Sequence, residues 1–196
     1  MRRPLEIALL ALGALVLLGA LLLWSTVRRG FSTHDEPSAM EASVARALRH
    51  WSTPAGLRDA RNPLPLTPQI MAEARAHWAD HCASCHGNDG RGKTAIGEKL
   101  YPRAPDMTLP ATQELSDGEL FAIIENGIRL TGMPGWGNGT AESAYGSWGL
   151  VHLIRHLPEL TPEELAEMEA LNPKTPEEWE QMQAEEAFLS GETDQH

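Results

Sequence analysis

Two cysteines placed three residues apart constrain this chain more than any other feature. Cys82 and Cys85 are the only cysteines among 196 residues, and both lie in His81-Cys82-Ala83-Ser84-Cys85-His86. The spacing C-x-x-C-H reads as a site of covalent c-type haem attachment. A short turn presents two thiols to the two vinyl groups of one porphyrin, and each thiol forms a thioether. The imidazole that follows then lies under the iron as a proximal ligand. With both cysteines used there, no pair is left for a disulfide framework.

Other uses of the motif were weighed. A four-ligand zinc site needs two further donors at zinc-like spacing. His81 and His86 flank the cysteines, but the loop is tight for four tetrahedral ligands. A thioredoxin-like redox pair needs a βαβ setting, which the flanks lack. A bare Cys82–Cys85 disulfide remains open in an oxidising compartment.

The residues around the motif carry a family resemblance. Ala74, Trp78, Cys82, Cys85, His86 and Gly87, with Gly132-Met133-Pro134 far downstream, resemble class I cytochrome c. The resemblance covers Thr67 to Leu157, about half the chain. The stretch from Gly87 through Leu100-Tyr101-Pro102 and Pro105-Asp106-Met107 is similar to cytochrome c domains of bacterial respiratory chains. The resemblance implies a mostly α fold in which the first and last helices cross beside one covalent haem c. It implies cofactor-binding residues Cys82, Cys85, His86 and Met133, of which His86 and Met133 bind the iron.

The chain in order supports that plan. Ile7 to Trp24 is an unbroken apolar run of 18 residues between Arg2-Arg3 and Arg28-Arg29. It is long enough to span a bilayer as a helix and lacks an Ala-x-Ala cleavage site, so residues 1–29 read as an uncleaved transmembrane signal anchor rather than a signal peptide. The arginines on its two sides nearly balance and leave the orientation open. Haem of the c type is attached outside the bacterial cytoplasmic membrane, so the resemblance implies a single-pass protein with its haem domain on the periplasmic face.

Residues 30–66 form a linker, with Pro37 to Trp51 as a possible amphipathic helix carrying Met40, Val44, Leu48 and Trp51 at helical spacing. Such a helix either covers the haem domain or docks on the membrane or a partner subunit. Residues 67–158 are the expected haem domain. Thr67-Pro68 reads as N-cap and first helical residue of a helix running to about His81, with Ile70, Ala74 and Trp78 on one face. Gly87 to Met107 is a long loop, which in a compact domain needs a functional reason; here it wraps the haem. Its Pro102 or Pro105 carbonyl is expected to accept from Nδ1 of His86, orienting the ring. Ser116-x-x-Glu119 is a capping box, and Asn126-Gly127 a C-cap.

Met133 lies 47 residues after His86, where the resembled family places its distal ligand. Met107 is its rival. The histidines at 34, 50, 77, 81, 152 and 156 read as surface or structural residues. Glu142 to Leu157 is the last helix of the domain. Residues 159–196 read as an acidic helical tail. Thr161-Pro162-Glu163-Glu164 and Thr175-Pro176-Glu177-Glu178 each open a helix in it, and its last residues are expected to be disordered.

Charge is unevenly distributed. Residues 159–196 hold twelve carboxylates and one lysine, which accounts for the net charge of −11 of the whole chain. No basic face suits nucleic acid. The resemblance implies a non-enzymatic carrier of single electrons between respiratory-chain partners, with redox proteins and the membrane as partners and no small-molecule substrate. A fixed subunit of a larger oxidoreductase is the alternative. A haem enzyme or gas sensor with an open sixth position is a further one.

Overall fold

A computed structural model describes residues 2–30 and 32–190. The disorder expected for the last residues falls on 191–196, outside the described residues. Two units form, Met1–Asp35 and Glu36–His196.

In the first unit the apolar run is one helix, α1 (Arg2–Arg29). Its stretch Arg3–Arg28 has 26 residues with the length and apolar composition to cross a membrane. At 1.5 Å per residue that is about 39 Å, more than the ~30 Å hydrocarbon layer. Near its end the Arg28 guanidinium lies 4.7 Å from the centre of the Trp24 ring. Such a pair suits the polar edge of a bilayer.

The second unit is helical throughout its ordered elements, with no strand among the described residues. Ser38 caps α2 (Ala39–Ser52) by accepting from Glu41 N. A short turn, α3 (Ala55–Arg58), follows. Thr67 accepts from Ile70 N and Pro68 opens α4 (Pro68–His77), as the sequence predicts. The helix does not run on to His81 as α-helix. Trp78–Cys82 form a π turn, and α5 (Ala83–His86) resumes α geometry. A π turn inserts one extra residue into the winding, so the residues beyond it are rotated relative to those before. Gly87, at φ 73°, ends α5.

Downstream come α6 (Pro110–Gln113), α7 (Asp117–Asn126) and α8 (Ala141–His156). The Ser116/Glu119 capping box is formed on both sides, and Gly127 at φ 65° closes α7. The most extensive helix–helix contact joins α4 to α8. Ala74 and Trp78 are 3 % and 1 % exposed there, against Leu150, Val151, Leu153 and Ile154. Gly149 is buried opposite Ala74 and Ile70. Small residues on both helices let the backbones approach, and Trp78 fills the space beside them.

The acidic tail begins with α9 (Pro162–Ala170) and α10 (Pro176–Ser190). The sequence suggested an appendage from residue 159. Instead, Met168 of α9 is fully buried in the core cluster with Trp78 and Leu153. Arg75 of α4 lies 3.6 Å from Glu164 and 3.1 Å from Glu167. α9 thus packs against the body through Met168, whose long flexible side chain completes the core while Glu164 and Glu167 beside it meet Arg75.

Candidate haem site

Both cysteines and His86 lie on one turn. Cys82 ends the π turn and Cys85 lies on α5, both half-buried and unpaired with each other. Burial, with Cys85 adding to it, pushes the Cys82 thiol up to about 12, so it is held as neutral SH. His86 ends α5 and is 9 % exposed. Burial pushes its imidazole down to about 4, which keeps the ring neutral with a lone pair available to a metal.

The Gly87–Met107 loop is pinned to this turn. Gly92 N donates to His86 O at 2.7 Å. Thr94 Oγ1 donates to Ser84 O and Cys85 O at 2.9 and 3.1 Å, and accepts from Gly97 N at 2.8 Å. These bonds satisfy carbonyls that the end of a helix leaves without partners. Trp78 Nε1 donates to Gly87 O at 3.0 Å, tying the crossing to the exit of the motif. The expected bond from a proline carbonyl is not made. Nδ1 of His86 is buried without a hydrogen-bond partner, so neither Pro102 nor Pro105 supplies it.

Met133 lies on a loop folded back on the end of α7. Ile128 N donates to Met133 O at 3.1 Å, Trp136 N to Ile124 O at 2.9 Å and Gly137 N to Glu125 O at 3.0 Å. Met133 N donates to Thr131 Oγ1 at 3.1 Å, and its side chain is half-buried. Met107 is 9 % exposed and belongs to the core cluster.

One contact brings the loop to the cysteine turn and one to the Gly87–Met107 loop, and periodicity reveals neither. His81, next to Cys82, stacks on Trp136 with ring centres 5.2 Å apart and planes 23° apart. A Cβ on Gly132 would lie 2.7 Å from Leu100 Cδ2, so that glycine admits the side chain of Leu100 from the first loop. Trp78 lies behind the motif, 5.9 Å from the His86 ring.

The donor set fits a covalently held haem. Two thiols lie on one turn with a buried, neutral imidazole immediately after them. The other readings fare worse. Among the described residues no three or more His, Cys, Asp or Glu gather as a metal site, so the zinc alternative lacks its ligands. The cysteines are not bonded to each other, and among the described residues no strand supplies a βαβ context.

Comparison with known proteins agrees. Residues 69–148 match the family described as cytochrome C oxidase, cbb3-type, subunit III. The chain is also similar to a thiosulfate dehydrogenase of Stutzerimonas stutzeri (strain A1501), 31 % identical over 83 residues. That alignment covers 37 % of this chain and 27 % of the relative, so the chain spans about a quarter of the protein it matches. The chain therefore contains a class I c-type cytochrome domain, a haem-bearing module of electron transfer.

Proposed function

We propose that this protein is a membrane-anchored monohaem cytochrome c that carries single electrons between respiratory-chain partners at the periplasmic face of a bacterial cytoplasmic membrane. In this reading residues 1–29 anchor it, 30–66 link, and 67–158 hold the haem. The acidic residues 159–196 follow, with α9 packed on the haem domain. Cys82 and Cys85 hold the porphyrin through thioethers, and His86 and Met133 hold the iron. Bound there, haem supplies a one-electron couple.

The chain's own residues do the rest. His86, kept neutral by burial, offers nitrogen. Met133 would offer a soft sulfur, a donor that favours the reduced form of a haem iron. The two loops, pinned through Thr94 and through Ile124 and Glu125, exclude water from one side and hold the ligand residues against movement.

The observation that carries the reading is the buried, neutral His86 at the end of the turn bearing both cysteines. Burial of Met107 in the core favours Met133 as the second ligand. A second reading, a fixed subunit of a larger oxidoreductase, draws support from the family matched by residues 69–148.

Two measurements test the ligand set. Haem should stay with the chain through denaturation and acid–acetone extraction. The oxidised protein should show a weak sulfur-to-iron band at roughly 700 nm, which Met133→Ala abolishes and Met107→Ala leaves. Haem that extracts freely refutes the attachment. A band lost only in Met107→Ala moves the ligand.

A further inference from the structure

The helix α2 is amphipathic in an unexpected sense. At 100° per residue, Met40, Val44, Leu48 and Trp51 share one stripe, and Ala42, Arg49 and Thr53 fall opposite it. A helix that covered the haem domain would bury the apolar stripe. Here those four side chains are 77 %, 53 %, 57 % and 70 % exposed, while Thr53 is 6 % exposed. The contacts holding α2 to the body are polar and flank the inner face. Tyr101 Oη donates to Glu41 Oε1 at 2.6 Å, and His50 Nδ1 lies 2.7 Å from Glu119 Oε1. The body thus takes the polar side of α2 and turns the apolar side outward.

A contiguous apolar ridge of this kind needs an occupant. Nine residues, 30–38, separate α1 from α2. Their fully extended reach is about 30 Å, which bounds the distance from the end of α1 to the start of α2. The stripe ends in Trp51, whose ring suits the headgroup level of a bilayer. With ordinary residue areas the four side chains expose roughly 500 Å², short of the ~800 Å² per partner of a standard protein–protein interface.

We propose that α2 lies along the outer interface of the bilayer with Met40, Val44, Leu48 and Trp51 seated between headgroups and upper acyl chains, and so sets how the haem domain faces the membrane. The proposal rests on reading α1 as a transmembrane anchor.

The test uses full-length holoprotein in vesicles of phosphatidylethanolamine and phosphatidylglycerol. A diazirine side chain replaces Leu48 in one sample and exposed Leu171 in another, and the intact haem spectrum certifies folding in both. On irradiation, position 48 should give on the order of ten-fold more lipid adduct than position 171, as an interfacial helix requires. Equal lipid labelling at the two positions overturns the proposal. So does a polypeptide adduct in place of lipid at position 48 in native membranes, which would assign the ridge to a partner subunit. Carbonate extraction separates the two readings. A chain released by carbonate refutes the anchor and the docking together, whereas one that resists carbonate but fails to label lipid refutes the docking alone.

Discussion

Replacing Gly149 by alanine should stabilise this protein, although the residue sits where two helices cross. An added Cβ would lie 3.7 Å from Ala74 Cβ and 3.8 Å from Ile70 Cγ2. Those are ordinary van der Waals distances, so the crossing has room for one methyl group. In a helix interior glycine costs about 1 kcal/mol relative to alanine, and burying the methyl adds up to about 0.8 kcal/mol. Taking about 1 kcal/mol as the conservative total, the melting temperature of a domain of this size should rise by about 4–8 °C. Far-UV circular dichroism of the holoprotein measures it. A lowered melting temperature would refute the reasoning, because it would mean that α4 and α8 lie closer than the structure places them.

The same exchange at Gly97 should do the opposite. A Cβ there meets the backbone oxygens of Cys85 and, at 2.6 Å, Gly92, and backbone cannot swing aside as a side chain can. Gly97→Ala should cost about 2 kcal/mol and lower the yield of haem-loaded protein, read as the ratio of Soret to protein absorbance. Arg155→Met should cost a similar amount. Nε and Nη2 of Arg155 donate to Asp117 Oδ1, Nη1 donates to Gln113 O at 2.6 Å, and Nη2 also donates to Leu115 O. Leaving those acceptors unpaired is worth about 2 kcal/mol in denaturant unfolding, and a loss under about 0.5 kcal/mol, typical of a plain surface change, would refute it. The backbone bond at Thr161 and the side-chain bond from His156 hold the Glu164 carboxyl below its ordinary 4.5. A depressed carboxylate stabilises the fold above its unfolded pKa and loses that stabilisation as pH falls through its folded one. The stability gap between wild type and Glu164→Gln should therefore be constant near neutrality and close below about pH 4; a gap unchanged at pH 3 would contradict the pairing. Removing residues 173–196, with seven carboxylates and one lysine, spares Met168. If α10 steers a basic redox partner, deletion should slow electron transfer at low salt and flatten its salt dependence, whereas equal slopes would leave it a solvated face.

Much of this was legible in the chain because it is local. The C-x-x-C-H turn, the Thr67 cap and the Ser116/Glu119 box each lie within a few residues of sequence, and their chemistry is set by neighbours. What escaped depends on side chains far apart in the chain. Trp136 meets His81, and Arg155 gathers three carbonyl and carboxylate partners from residues 113–117. Neither has a spacing to betray it. Periodicity found the stripe of α2 but not its fate, and the Thr161 start marked α9 but not its packing. Met168 of α9 lies in the core, and the stripe of α2 faces outward. An apolar stripe states that a face exists, and only the packing decides what covers it.

The π turn at Trp78–Cys82 works as a phase shifter. Upstream of it, α4 is in step with α8, since Ala74 must meet Gly149. Downstream, on the proposed reading, the thiols and His86 would have to keep step with a porphyrin. One uniform helix would link the two requirements rigidly, so that any choice of crossing would dictate where the cysteines point. The extra residue supplies the missing rotation. Deleting it would wind the segment back to regular helix and turn everything beyond by about 100°, carrying the thiols round with it. The π turn thus sets the direction of Cys82, Cys85 and His86 separately from the helix crossing, provided that the count of residues between Ala74 and Cys82 stays fixed.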